Sequence, residues 1–220
     1  MIVPADIHTH RLPAVQGTAI VNSSPDAFVP QAGHYYSVGI HPWLAQEWNS
    51  AIHEGTISTQ DLEHAFTHPQ VVAVGEAGLD KAVQVPMPVQ IDLFERQARW
   101  ADALNKPLVI HLVKAVDELL AAKKRLRPAH AWIIHGFRGK PELAMLYLRH
   151  GFYLSFGEHY HSEALRATPL DRLLLETDES SLSIEELYER AAAIRRMSVQ
   201  QLRTAVLSTV GNLFFLRERL

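Results

Sequence analysis

Histidine and carboxylate side chains recur in this chain immediately after short apolar runs. The first such place is Asp6-Ile7-His8-Thr9-His10. On an extended strand Asp6, His8 and His10 share one face, because successive side chains alternate. Two imidazoles one residue apart can reach a single ion together, although such a pair is equally well two incidental histidines. Four later segments shift that balance. Val72-Ala73-Val74-Gly75-Glu76 ends in a carboxylate, and Leu108 to His111 and Trp132 to His135 end in imidazoles. Leu173 to Asp178 ends in Glu176 and Asp178, two carboxylates at i and i+2. One polar residue after a buried run is usually a strand cap. Five from five strands converge only if the strands close into a barrel, whose C-terminal rim is where active sites sit.

Together His8, His10, Glu76, His111, His135 and Asp178 offer four imidazoles and two carboxylates, more than one tetrahedral ion requires. Two divalent ions are expected, with Glu76 central enough to bridge them. Such a pair lowers the pKa of a bridging water and polarises a phosphoryl or acyl oxygen. Asp178 is the natural general base, since a carboxylate beside the water takes its proton. Asp178 and Glu76 are therefore the expected catalytic carboxylates. Asp6 and Glu176, one inward step deeper, are expected to orient the ligand histidines. Four imidazoles favour Zn²⁺, Mn²⁺ or Fe²⁺, whereas a Mg²⁺ site is normally richer in oxygen.

Eight strands would have to carry these residues. They are expected at Ile2 to His8, Thr18 to Asn22, Tyr35 to Ile40, Val71 to Glu76, Pro107 to His111, Ala131 to His135, Phe152 to Phe156 and Arg172 to Thr177. Helical periodicity fills the gaps most clearly in the second half. Val89 to Leu104 sets Ile91, Phe94, Ala98, Ala101 and Leu104 on one face. Further helices are expected over Ala115 to Leu126, Pro141 to His150, Ile184 to Met197 and Val199 to Leu213, with Ser183 and Ser198 as N-caps and Gly151 as a stop. The alternation predicts an α/β fold, a TIM-like (β/α)₈ barrel. Ser23-Ser24-Pro25 and Gly33 leave little room for a crossover helix before Tyr35, so the barrel is expected to be compact and distorted near the second strand.

The 220 residues fit one domain, 1–220. Lys and Arg total 21 against 24 Asp and Glu, so no global basic field attracts nucleic acid and any such contact must be local. The absence of cysteine excludes disulfides and thiolate zinc sites and suits a cytoplasmic protein. Met1-Ile2-Val3-Pro4-Ala5 lacks the basic start of a signal peptide. No apolar run approaches the ~20 residues of a membrane helix. A soluble monomer is the expectation.

These segments, taken in order, resemble the TatD-type deoxyribonucleases of the amidohydrolase-like barrels. Asp6 to His10 looks like the first-strand motif of that family. Gly39-Ile40-His41-Pro42-Trp43 is similar to its Gly-x-His-Pro motif, and Val74 to Asp80 to its Gly-Glu-x-Gly-Leu-Asp motif. Pro107 to His111, His135 to Gly139, Leu175 to Asp178 and the tail Gly211 to Phe214 follow in the same order. The resemblance implies a metal-dependent nuclease or phosphodiesterase with DNA as a candidate substrate, and it admits Mg²⁺ among the metals. On the same resemblance His41 is read as a substrate-phosphate contact, and Asp80 as a residue that hydrogen-bonds the rim loop.

The substrate side departs from the family. Leu112-Val113-Lys114 replaces the usual Ser-Arg-Asp, so Lys114 keeps only a point charge where a bidentate arginine is expected. Glu179-Ser180-Ser181 replaces Ala-Pro after Asp178, while Arg138 and Lys140 add positive charge beside His135. His41, Arg138 and Lys114 are the expected substrate contacts. These departures leave open an amide or ester hydrolase for small molecules on the same metal centre. A barrel that binds metal without catalysis is the third reading.

Overall fold

The apolar runs of the sequence become strands in the computed structural model, which describes residues 2–57 and 59–215. Met1, the start of the N-terminal stretch read above, lies outside them. The strands are β1 (Asp6–Thr9), β2 (Ala19–Ser23), β3 (Tyr35–Val38), β4 (Val71–Asp80), β5 (Leu108–Val113), β6 (Trp132–Ile134), β7 (Tyr153–Phe156) and β8 (Leu173–Leu175). Their order in the sheet is sequential, β1 to β8. The helices are α1 (Ala45–His53), α2 (Thr59–Thr67), α3 (Met87–Ala103), α4 (Val116–Leu126), α5 (Pro141–Arg149), α6 (Ser162–Ala167), α7 (Ile184–Arg195) and α8 (Val199–Val210). No helix stands between β1 and β2 or between β2 and β3, so the expected economy near the second strand extends to the first crossover as well. The chain forms two compact units, one from Met1–Val21, Ala32–Tyr35 and Ile133–Leu220, the other from Asn22–Gln31 and Tyr36–Trp132.

In the first unit β7 pairs in parallel with β6 and β8, Leu154 lying opposite Ile134 and Leu173. Beyond Leu175 the chain continues alongside β1: the Asp178 amide donates to the His8 carbonyl at 2.9 Å, and the His10 amide to the Asp178 carbonyl at 3.4 Å. Asp178 holds φ 52 to make this turn. The core is built from Ile7, Leu154, Phe156 and Leu173 to Leu175, with Phe137 set edge-on to both Phe156 and Tyr147. Helices α7 and α8 cover it with Leu187, Tyr188, Leu202 and Val206. Both begin in the capping boxes their sequences suggest, Ser183 with Glu186 and Ser198 with Gln201.

In the second unit β4 pairs in parallel with β3 and β5. It runs to Asp80 and does not stop at Glu76, because it contains a bulge. Val74 faces Leu108 while Ala77 faces Ile110, so three steps on β4 match two on β5. Gly75 and Glu76 occupy the bulge, and the φ of 139° at Gly75 is open only to glycine. Gly78 is required for a different reason: a Cβ there would stand 2.0 Å from the His111 carbonyl oxygen.

Helix α3 packs Leu93, Phe94, Ala98 and Ala101 into this unit, with Phe94 edge-on to Trp132 at 5.3 Å. Ile91 and Leu104, expected on that face, are only half-buried. Gln90 and Gln97 are buried in their place. Gln97 accepts from the Ile40 amide at 2.7 Å and donates to the Ile40 carbonyl at 2.9 Å. Gln90 treats Asp80 alike, accepting from its amide at 2.7 Å and donating to its carbonyl at 2.9 Å. Each side-chain amide thus supplies both bonds that a neighbouring strand would have made, seven residues apart on one helix face.

Candidate metal centre

The first unit brings His8, His10, His135 and Asp178 together. His8 leaves β1 fully buried, and its Nε2 lies 3.7 Å from Asp178 Oδ1. His10, two residues on and exposed, places Nε2 3.4 Å from the same oxygen. The His8 ring lies 4.3 Å from that of His135, and donor atoms of His8, His135 and Asp178 all fall within 4.8 Å of one another. His135 follows β6, and its Nδ1 meets Glu176 Oε1 at 3.3 Å. The same oxygen accepts from the Gly136 amide at 2.6 Å. A carboxylate in this position fixes the proton on Nδ1 and turns Nε2 toward an ion. Three imidazoles and a carboxylate at these separations fit a divalent ion with a preference for nitrogen.

Asp6, expected to orient the ligand histidines, meets His8 through the backbone. Its carboxylate accepts from the backbone amides of His8 at 3.2 Å and Thr177 at 3.0 Å, and from the Thr177 hydroxyl at 2.6 Å. Burial raises its pKa to about 7 against those three bonds, which favour the charged form. Asp6 therefore fastens the backbone that follows β8 to the end of β1, one residue before Asp178. Glu176, the other of the deeper pair, reaches the His135 ring.

The second unit gathers His41, Glu76 and His111, whose donor atoms also lie within 4.8 Å of one another. Asn22 steadies the bulge that carries Glu76, accepting from the Glu76 amide at 3.0 Å and donating to Glu76 Oε2 at 3.2 Å. His111 stands between two carboxylates, Nδ1 3.0 Å from Glu76 Oε1 and Nε2 3.2 Å from Asp80 Oδ2. A neutral imidazole has one N–H and satisfies only one of them. With the proton toward Asp80, a lone pair on Nδ1 faces the Glu76 oxygen, and a cation between those two atoms removes the repulsion. His111 and Glu76 therefore fit a metal.

His41 shares the cluster but is held by a backbone amide. The Trp43 amide donates to His41 Nδ1 at 3.3 Å, so the neutral ring carries its proton on Nε2, 3.4 Å from Glu76 Oε1. That nitrogen is arranged to donate and not to ligate, which suits the substrate contact expected of His41. Asp80 accepts from the Trp43 indole at 2.8 Å and from the Ala82 amide at 2.7 Å. Burial by itself would raise the Asp80 pKa, but these bonds and His111 outweigh it and hold the carboxyl below its ordinary value.

Of the two remaining substrate candidates, Arg138 is exposed and lines a cleft of about 430 Å³ in the first unit together with Asp178, Glu158, His159 and Glu179. Lys114 is exposed just past β5, with φ 55. Asn22, Gln90 and Gln97 are not apparent from the sequence, Asn22 ending an apolar run and the two glutamines lying on the buried face of α3. The spacing of Gln90 and Gln97, one heptad apart, is the one trace of them that the sequence carries.

Sequential parallel strands, most of them followed by a helix, define a TIM-like (β/α)₈ fold. The solved structure of YJJV, a TatD homolog from Escherichia coli, is similar, with a TM-score of 0.77 at 20% identity over 98% of this chain and 100% of that one. Residues 29–214 match the profile of the TatD related DNases. The chain belongs to that family. The human 3'-5' RNA nuclease TATDN2 is 35% identical over 152 residues, 64% of this chain and 19% of that protein. The metal-dependent hydrolase YabD of Bacillus subtilis is 28% identical over 205 residues, 82% of this chain and 77% of that one. The chain thus spans about a fifth of the length of its human relative.

Proposed function

We propose that this protein hydrolyses phosphodiester bonds in nucleic acid with the help of two divalent ions, Zn²⁺, Mn²⁺, Fe²⁺ or Mg²⁺. The observation that carries the reading is the clustering of ligand-type side chains, His8, His135 and Asp178 in the first unit and Glu76 and His111, beside His41, in the second. His8, His10, His135 and Asp178 would hold one ion, while Glu76 and His111 would serve the other. Bound ions supply Lewis acidity and a water of lowered pKa. Asp178, half-buried beside His8 and His10, takes the proton of the attacking water. His41 donates from Nε2 to a phosphoryl oxygen. Arg138, on the cleft that Asp178 also lines, offers the fork that a phosphate accepts. The family match and the nuclease named among the relatives support the substrate class.

The test is turnover and metal content together. Protein stripped with chelator and reloaded with each metal in turn should degrade labelled single-stranded DNA or RNA, and Asp178→Asn and His135→Ala should abolish it. Elemental analysis of protein purified without chelator should find two ions per chain. No cleavage with any of the four metals, under conditions where a family nuclease acts, refutes the activity. Turnover confined to amides or lactones would move the same centre to a different substrate class.

A further inference from the structure

Trp43 is placed in a way that the metal chemistry does not require. It lies in a single 3₁₀ turn, Pro42–Leu44, directly after His41. The residue is 58% exposed, although an indole is among the costliest side chains to leave in water. It is nevertheless held. The indole N–H donates to Asp80 Oδ2 at 2.8 Å, and the ring stands at 88° to the His41 imidazole with centroids 4.8 Å apart. The His111 ring lies 6.3 Å away, also nearly perpendicular. The polar edge is anchored toward the donor cluster, while an apolar face is left open and pre-oriented.

We propose that Trp43 is a stacking platform for a nucleobase flanking the phosphodiester held at His41, Glu76 and His111. The occupant follows from position. A phosphate at His41 brings its own nucleoside next to that ring, and every base has a π-face to lay on an indole. A fixed indole loses little freedom on stacking, so it adds affinity without sequence readout. The platform also supplies apolar contact where the chain lacks a global basic field, 21 Lys and Arg standing against 24 Asp and Glu. The inference rests on the nucleic-acid reading above.

The experiment compares a short oligodeoxyadenylate with the same strand carrying abasic terminal and penultimate nucleotides. The metal-loaded wild type should prefer the intact strand in kcat/KM by about 5- to 150-fold, the range for one stacked base. Trp43→Ala should lower that preference to about twofold, and Trp43→Phe should keep most of it. Because Trp43 also donates to Asp80, Trp43→Ala is expected to slow both strands. A purely structural role would slow them equally and leave the ratio intact, as Asp80→Asn should. An unchanged ratio in Trp43→Ala overturns the proposal. Fluorescence anisotropy of both strands in EDTA separates this outcome from failure of the nuclease reading. If the wild type cleaves neither strand, base-dependent binding that Trp43→Ala abolishes sustains the platform, and base-independent binding or none overturns it.

Discussion

Replacing Gln97 with methionine tests whether a buried amide seats the residue before His41. Methionine matches glutamine in length and nearly in volume, so little cavity is created and the polar contribution is isolated. In the folded protein Gln97 and Ile40 are each 1% exposed. The substitution strands the Ile40 amide and carbonyl, now bonded to Gln97 at 2.7 and 2.9 Å. A buried backbone group left without a partner costs about 1–3 kcal/mol, so two should cost about 2–6 kcal/mol. Against a total of about 5–15 kcal/mol for a domain, that is a large share. Urea unfolding of the metal-free protein should show the midpoint falling accordingly with an unchanged slope. The effect should also reach the site, because Ile40 fixes where the His41 ring begins. Activity on oligonucleotide should fall beyond what residual folding explains. A loss of less than ~1 kcal/mol, with activity intact, would refute the reasoning.

Glu176→Gln removes the charge that fixes the His135 tautomer through a 3.3 Å contact; the affinity of the first unit's ion should weaken about 10- to 100-fold by competition with a chelating dye, and an unchanged affinity counts against that role. Gly78→Ala forces a Cβ to within 2.0 Å of the His111 carbonyl oxygen, so thermal denaturation should report a loss of about 1–3 kcal/mol or more, and near-neutral stability would show that β4 and β5 separate easily. Tyr188 donates to the Ala5 carbonyl at 3.1 Å, and burial pushes its pKa well above the ordinary 10.0. Unfolded chains release this proton above pH 10 while the folded protein keeps it, so its contribution to stability is complete below pH 10 and declines as pH rises further. Tyr188→Phe should flatten that decline in urea midpoints measured across the alkaline range, and an equal slope in both proteins would exclude Tyr188 as its source.

The strands were legible because each is a short apolar run, five of them ending in His, Asp or Glu, and the α7 and α8 caps because Ser183 and Ser198 carry Glu and Gln three residues on. Helices α1 and α2 were not read from the sequence. α1 buries only Ala45, Trp48 and Asn49, too few apolar positions for periodicity to register. His8, His135 and Asp178 were found by their places after apolar runs, and the structure gathers them. The bonds of Asp6 could not be read, because alternation reports which way a side chain points and not which donors await it. Thr177, which supplies two of the three bonds to Asp6, is distant in the sequence. Gln97 was invisible for the same reason, since its partner Ile40 is 57 residues away.

The bulge in β4 separates the durability of the fold from the durability of the site. Val74 and Ala77 lie against Leu108 and Ile110 with one residue to spare. Loss of a single residue there would restore ordinary pairing, and every partner beyond it, from Gly78 with His111 to Asp80 with Val113, would stay in register. The backbone would become more regular while the place from which Glu76 reaches His111 disappeared. A chain without the surplus residue should therefore keep β4 and β5 paired while losing the contact between Glu76 and His111.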